Sequence, residues 1–496
     1  MNNKRLLKSL GAACLSAAIA LGSTVALGKN TLTPVSAADT DNYAKLLQYS
    51  LYFYDCNWCG KAGSESAISW RGDCHTDDQV PGGFHDAGDH AVFGLPQGYT
   101  AATLGWAYRE FKDAFNKTGQ AAHYKKINDH FIEFFKASTK LSGDTVSEFL
   151  YQKGDGEADH AYWGPPEMQG AGRKMFWTSN SASDIAAEYA AALALDYINF
   201  GNEESLKYAK ALYKFAVTYN KCEPNGPTGF YYDAKYSDPM DEEAWAAGWL
   251  YLATNDEYYK TECASKQTQY IGWVHSWNNV AVGAAIVNAE ITGNWSAATD
   301  WIGGQAGGGG YYCLDDWGSA RLNCSLQLSL LICNKHNAID KNSWCKDQMT
   351  YLLGQNSFNT CFVTGFASNS CKNVHHRGAS GYNNYDELGE NTQYSSNGKI
   401  LVGALTGGPN KAGQYTDSIK DYQCNEVALD YNAGLVGAAA GLYSIYGTGS
   451  PDTSIPGVDN VSQGTIDTPP TTTAPEQTQP QQTQPEQTQP QQTQPE

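Results

Sequence analysis

Ser183-Asp184-Ile185-Ala186-Ala187-Glu188-Tyr189-Ala190-Ala191-Ala192-Leu193-Ala194-Leu195-Asp196-Tyr197-Ile198-Asn199-Phe200 is the stretch on which the fold class turns. Its apolar residues recur at helical spacing, and alanine is the strongest helix former. Small residues occupy every face and charges are few on any of them, so this helix must be packed on more than one side. The same spacing predicts helices over Tyr99 to Phe115, Glu203 to Tyr219, Asp241 to Ala253, Val280 to Ile291, Leu322 to Asn334 and Asn432 to Tyr446. Ser183-Asp184 before Ile185, and Asn202-Glu203-Glu204 before Leu206, supply the expected starts. Strand-like alternation is sparse, with Thr360 to Phe366 the best candidate. The body between Asp41 and Thr448 therefore reads as all-α, with helices packed in layers. The segments between them are long, glycine-rich and aromatic, and loops of that kind in a compact domain usually carry function. A helical toroid with a cleft built from its loops fits this pattern.

Composition narrows the ligand. The chain has 496 residues, with 52 acidic against 33 basic side chains and a formal charge of −19. That balance argues against nucleic acid or an anionic membrane surface as partner. Charged residues are only 17%, whereas the chain holds 50 Gly, 32 Tyr and 13 Trp. Aromatic-bearing polar loops suit a neutral, hydroxyl-rich ligand, which points toward sugar.

The two ends are different materials. Lys4, Arg5 and Lys8, the apolar run Leu10 to Leu27 and the small residues Val35-Ser36-Ala37 read as a secretory signal over residues 1–37, so the chain is expected to be exported. From residue 449 to 496 apolar content almost vanishes and Gln-Thr-Gln-Pro recurs, which predicts a disordered linker after a body spanning 38–448. Such a linker is either a plain tail or the lead into a further module. A substrate-binding module and a docking module both fit, and the second would place the chain in a multi-enzyme complex. Of thirteen cysteines, Cys14 lies in the leader, leaving an even number compatible with disulfides. Cys56-x-x-Cys59 with Cys74 and His75 nearby admits a zinc site, but no second Cys-x-x-Cys stands at matching spacing, which favours structural cysteines or a disulfide.

The densest acid and histidine cluster is Gly82-Gly83-Phe84-His85-Asp86-Ala87-Gly88-Asp89-His90. Two aspartates three apart between glycines can share one water, one orienting it and the other taking its proton. A helix cap, a metal loop or a solvated turn are the alternatives for such residues. Glu426 lies between apolar neighbours just before the last helix, where burial would raise its pKa as a general acid requires, unless it merely favours the helix dipole.

These residues carry a resemblance. Asp86-Ala87-Gly88-Asp89-His90, the His-His-Arg run at 375–377 and the stretch Tyr415 to Ala433, with Tyr415, Asp417, Tyr422, Glu426, Ala428, Asn432 and Ala433 at its fixed positions, resemble family 9 glycoside hydrolases, the cellulase family formerly called family E. The matches run in family order across nearly the whole body. The resemblance implies an (α/α)6 barrel with an open cleft and a secreted endo-β-1,4-glucanase that inverts the anomeric centre of cellulose or related glucans, with no organic cofactor. It implies Asp89 as general base, Asp86 as holder of the water and Glu426 as general acid. His375 and Arg377 would line the cleft, with Arg377 bonding sugar hydroxyls or steadying a carboxylate, and Tyr431 would meet the sugar at the reacting centre. His160 and Arg321 would hydrogen-bond glucosyl units, and Trp163 and Trp317 would be stacking platforms or, failing that, core aromatics. Ser237, Asp238, Asp241 and Glu242 resemble the family's calcium loop, with Asn278 standing where it has a distant aspartate; the competing reading is a capped helix start. Cys361 and Ala367 also depart from the pattern, without touching the chemistry. Other β-glycan specificities (mixed-linkage glucan, xyloglucan, a glucosaminide), or a glycan-binding protein that has lost catalysis, are the alternatives.

Overall fold

The computed structural model describes residues 40–223, 231–232, 238–394 and 399–466, all within one compact unit. The leader and most of the Gln-Thr-Gln-Pro segment lie outside the described residues. Twelve helices make the frame: α1 (Tyr43–Cys56), α2 (Gly94–Lys117), α3 (Ala121–Ala137), α4 (Ser183–Phe200), α5 (Glu203–Tyr219), α6 (Met240–Thr254), α7 (Glu257–Ser265), α8 (Ala281–Thr292), α9 (Ser296–Gln305), α10 (Ser319–Lys335), α11 (Asn342–Leu352) and α12 (Leu429–Tyr446). The even-numbered helices close a ring, α2 against α4, then α6, α8, α10 and α12, which returns to α2. Each odd-numbered helix packs outside, α1 on α12 and α3, α5, α7, α9 and α11 on the inner helix before it in sequence. This is the (α/α)6 barrel.

The inner ring explains the alanine-rich helices. An inner helix touches ring neighbours on two sides and an outer helix on a third, so bulky residues would hold it off. In α12, Gly434, Gly437 and Gly441 face α10, and a Cβ on Gly434 would stand 2.9 Å from the Ser325 amide nitrogen. The predicted helices therefore appear where the spacing put them, extended by a few residues at the ends. Asn202 caps α5, its side chain accepting from the Ser205 amide. Ser183 does not cap α4: the helix starts from Ala182 in the left-handed region, and the Ser183 hydroxyl accepts from the Lys221 amide instead.

Two expectations change. Thr360 to Phe366 forms no strand, only the isolated bridges Cys361 to Ser370 and Val363 to Leu405. The sheet lies elsewhere, β1 (Val92–Phe93), β2 (Thr139–Ser142), β3 (Thr145–Lys153) and β4 (Met175–Thr178), all antiparallel about β3. Nor does packing stop at residue 448. Residues after Gly449 lie along the body: Ile455 is buried, Asp452 accepts from Tyr49 Oη at 2.8 Å, and Gly464 exchanges backbone hydrogen bonds with Gly119 and Ala122. A few apolar side chains and well-paired backbone suffice to hold this strap, although its composition resembles the tail beyond it.

The loops entering the inner helices carry nearly every candidate residue: Asp86 and Asp89 before α2, Trp317 before α10 and Glu426 before α12. Because helix N-termini attract negative charge, this end of the ring suits carboxylates. Gly434→Ala should lower stability by ~1–3 kcal/mol, since the added methyl meets backbone that cannot rotate away. Urea unfolding of the two proteins is the check, and an unchanged midpoint would contradict this packing.

Candidate active site

The loop bearing the two aspartates is held by its backbone. The Asp86 amide donates to the Ala91 carbonyl at 3.0 Å, while the Asp86 carbonyl accepts from the Leu429 amide and that of Gly88 from the Arg377 amide, each at 2.9 Å. At Gly88 a Cβ would stand 2.1 Å from the His375 carbonyl oxygen, so only glycine permits this contact. Asp86 and Asp89 are 3% and 2% exposed, yet Asp86 Oδ1 and Asp89 Oδ2 take no hydrogen bond from the protein. Two buried, unpartnered carboxylate oxygens from one loop are what holding a water requires. Tyr232, which sequence reasoning did not single out, donates to Asp86 Oδ2 at 2.6 Å. Nothing in its neighbourhood of sequence marks it.

Burial raises both aspartates, Asp86 further because the charge of Asp89 adds to it. Asp89 is relieved by His160, whose Nδ1 stands 3.7 Å from Asp89 Oδ2, and by Arg377. These neighbours favour the ionised form of Asp89, the form a general base needs. Glu426 is pushed up to about 7 by burial and by Asp89. It sits beside His375 in a parallel bridge, and Trp317 Nε1 donates to its Oε2 at 3.1 Å. A carboxylic acid still protonated near neutrality is what a general acid needs.

The remaining predicted residues divide. Trp317 is 38% exposed, beside the half-exposed Tyr422, and offers a ring to the cleft. His160 stacks on Tyr231 with centroids 4.0 Å apart. His375 donates from Nδ1 to the Ile419 carbonyl at 2.8 Å, which leaves Nε2 as its other ring nitrogen. Arg377 is buried and donates to the carbonyls of Tyr162 and His160, while its charge favours the ionised forms of Asp89 and Glu426. Arg321 pairs with Asp430 at 2.9 Å and lies over the buried ring of Tyr431. Trp163 is not an open platform. It is 5% exposed, packed with Leu388 and Ile419, under the Arg377 guanidinium; the exposed ring there is Tyr385, edge-on to it at 5.2 Å.

In the calcium loop, Ser237 lies outside the described residues. Asp238 accepts from the Met240 amide and Asp241 from the Val280 amide, and Asn278 accepts from the Ser276 hydroxyl. Glu242 is buried with Oε2 unpartnered, as are Asp184 Oδ1 and both carboxylate oxygens of Glu188. Burial and mutual repulsion raise Asp184, Glu188 and Glu242. Among the described residues these carboxylates do not converge on one point as the next group does.

That group corrects the reading of the cysteines. Cys59, Cys74, His75 and His85 are all buried, and their ligand atoms lie within 4.8 Å of one another. Cys59 and Cys74 are free thiols. Cys59 Sγ stands 3.8 Å from His75 Nδ1, Cys74 Sγ 3.8 Å from His85 Nε2, and the two nitrogens 3.3 Å apart. With Zn–N of about 2.0–2.1 Å and Zn–S of about 2.3 Å, donors around a tetrahedral zinc stand roughly 3.3–3.8 Å apart, so this set fits zinc. Gln169 bonds His75 Nε2, leaving Nδ1 for metal. Cys56 is not among the four and His85 is, so the spacing of the Cys-x-x-Cys run does not describe this set.

A family model described as Glycosyl hydrolase family 9 matches residues 43–439. Endoglucanase A of Bacillus pumilus is 33% identical over 82% of this chain and 67% of its own length; Endoglucanase B of Cellulomonas fimi is 33% identical over 88% of this chain, which spans only 46% of that protein. Among solved structures, the catalytic domain of Clostridium thermocellum CelT has 38% identity and a TM-score of 0.78, covering 84% of this chain and 99% of that one. The endoglucanase CelQ of Clostridium thermocellum, complexed with cellobiose and cellotriose, has 34% identity and a TM-score of 0.75 over 84% of this chain and 72% of its own.

Elemental analysis of protein purified without added metal should find about one zinc per chain. Cys59→Ser should remove it and lower the Tm by several degrees; a metal-free, equally stable wild type would defeat the site.

Proposed function

The chain belongs to glycosyl hydrolase family 9, and from that premise we propose that it is an endo-β-1,4-glucanase in which Asp89 activates water, Asp86 holds that water and Glu426 protonates the departing glycosidic oxygen. It hydrolyses internal bonds of cellulose and related glucans with inversion, a single displacement that needs water on the face of the sugar opposite the leaving group. The observation that carries the assignment of roles is geometric: a buried pair, Asp86 and Asp89, with one unpartnered oxygen each and His160 3.7 Å from Asp89, beside one acid, Glu426, pushed up to about 7. A glycan-binding protein without catalysis has no use for buried carboxylates left unpartnered, because each weakens the fold it sits in. Trp317, Tyr422 and Tyr385 supply exposed aromatic rings for pyranose faces. Export is supported by the leader-like residues 1–37.

Calcium is the second part of the proposal. Beside the loop that resembles the family's calcium site, Asp184, Glu188 and Glu242 keep buried oxygens without partners, and such oxygens suit a hard divalent ion even though they do not yet converge on one point. The ion would be structural, fixing the start of α6.

Glu426→Gln should lower kcat on cellopentaose by about 10²–10⁴-fold, the usual worth of a general acid, while a dinitrophenyl cellobioside, whose leaving group needs no proton, should recover most of the loss. Asp89→Asn should lose both substrates. In the wild type, kcat on cellopentaose should fall as pH rises through about 7, where Glu426 loses its proton, and fall again on the acid side as Asp89 gains one. Proton NMR of the first product should show the α-anomer; the β-anomer would overturn inversion. For calcium, EDTA-stripped protein refilled with zinc should gain further Tm on titration with Ca2+, and no gain would defeat that site.

A further inference from the structure

Between the candidate zinc ligands and the aspartate loop sits a side chain to which no role has yet been given. Asn57 is fully buried. Its Nδ2 donates to the carbonyls of His85 and Ala87, at 3.0 and 3.1 Å. Those carbonyls flank Asp86 on either side. Asn57 Oδ1 accepts from His376 Nε2 at 3.0 Å, and the Asn57 carbonyl accepts from the His85 amide at 2.8 Å. Every hydrogen-bonding valence of this amide except one lone pair is therefore spent on two segments, the loop that carries Asp86 and the run His375-His376-Arg377.

His376 points away from the cleft. Its Nε2 serves Asn57, and its Nδ1 accepts from the Ala379 amide at 3.0 Å, while its neighbours His375 and Arg377 lie by Glu426 and Asp89. The backbone on either side of Asn57 is itself held: Arg71 donates to the carbonyl of Cys56 and, at 2.9 Å, to that of Trp58. Glu167 receives Arg71 Nε at 2.8 Å. A single polar chain thus runs from Glu167 through Arg71 and Asn57 to the two peptide groups beside Asp86.

We propose that Asn57, buttressed by Arg71 and joined to His376, is a positioning residue that sets the direction of the Asp86 carboxylate relative to the segment bearing His375 and Arg377. The inference rests on the endoglucanase reading, since it concerns where a water is held for that reaction. Asparagine alone serves here. Its amide supplies two donors to two carbonyls and one acceptor to an imidazole N–H, whereas aspartate would set an anionic oxygen against two carbonyl oxygens.

The test is steady-state hydrolysis of cellopentaose by purified full-length variants, with cellopentaose binding measured alongside. Asn57→Ala should lower kcat by about 10- to 100-fold, as expected for a reacting group displaced by a fraction of an ångström to an ångström, with KM within about twofold. Asn57→Asp should be worse than Asn57→Ala. His376→Gln, which keeps an N–H donor, should retain kcat within about threefold, and His376→Phe should lower it, by no more than Asn57→Ala does; the double variant Asn57→Ala/His376→Phe should be no worse than Asn57→Ala alone, because Asn57→Ala already removes the bond to His376. A folded Asn57→Ala with wild-type kcat overturns the inference. So does a double variant whose losses multiply, or a His376→Gln no better than His376→Phe, a comparison that stands even if Asn57→Ala does not fold. An inert wild type that still binds cellopentaose overturns the endoglucanase reading itself, a result distinct from an active wild type with unaffected variants.

Discussion

A carboxylate withdrawn from water without a cation beside it holds its proton harder, and the site depends on that penalty being distributed unevenly. Asp86, Asp89 and Glu426 share one low-dielectric space, and one of them must stay charged while another stays protonated. His160 and Arg377 draw the charge to Asp89, Tyr232 engages Asp86, and Glu426 has an indole N–H in place of a full positive charge. Arg377 is close enough to bias the set and too well occupied elsewhere to neutralise it, since it donates to the carbonyls of Tyr162 and His160. Moving one guanidinium fully onto Glu426 would abolish the acid.

Keeping such a set in place asks for stiffness where the chain has no regular structure. The ring supplies it indirectly. Inner helices enter the site end through loops, and those loops are sewn to one another by backbone hydrogen bonds: Leu429 to Asp86, Arg377 to Gly88, His375 to Asn425. The fixed positions of the C-terminal signature are mostly fasteners of this kind. Asp417 accepts from the amides of Lys372 and Asn373, Tyr415 donates to Asn425, and Asn432 ties α12 to the carbonyls of Ser50 and Gly403. Only Glu426, among the residues of that signature that bear acid or amide groups, is left to do chemistry.

Much of this is legible in the sequence alone. Alanine-rich helices betray packing on several sides, so α4, α8 and α12 announce an inner layer, and Asp86, Asp89 and Glu426 stand in motifs long enough to be read. The illegible part depends on contacts between distant segments. Tyr232 reaches Asp86 across 146 positions, and periodicity says nothing about such a reach. Trp163 reads as a stacking ring because exposure is not encoded in residue type. That His85 lies with Cys59, Cys74 and His75 cannot be read while it sits inside a motif already claimed by its aspartates. The short strands are invisible for a related reason: a pairing of two residues at Val92–Phe93 has no alternation to detect.

The strap formed by residues after Gly449 has a geometric consequence. It leaves α12, crosses α1, and reaches the point where the Ile466 amide donates to Asn116 and Gly464 meets Gly119, at the C-terminal end of α2. The aspartate loop lies at the other end of the same helical segment, Gly94–Lys117, which is kinked at Phe111. The strap therefore hands the chain on at the rear of the ring. The described strap accordingly keeps to the back of the ring, and its hydrogen bonds reach α1, α2 and the loop after α1 but not the loop that carries Asp86 and Asp89.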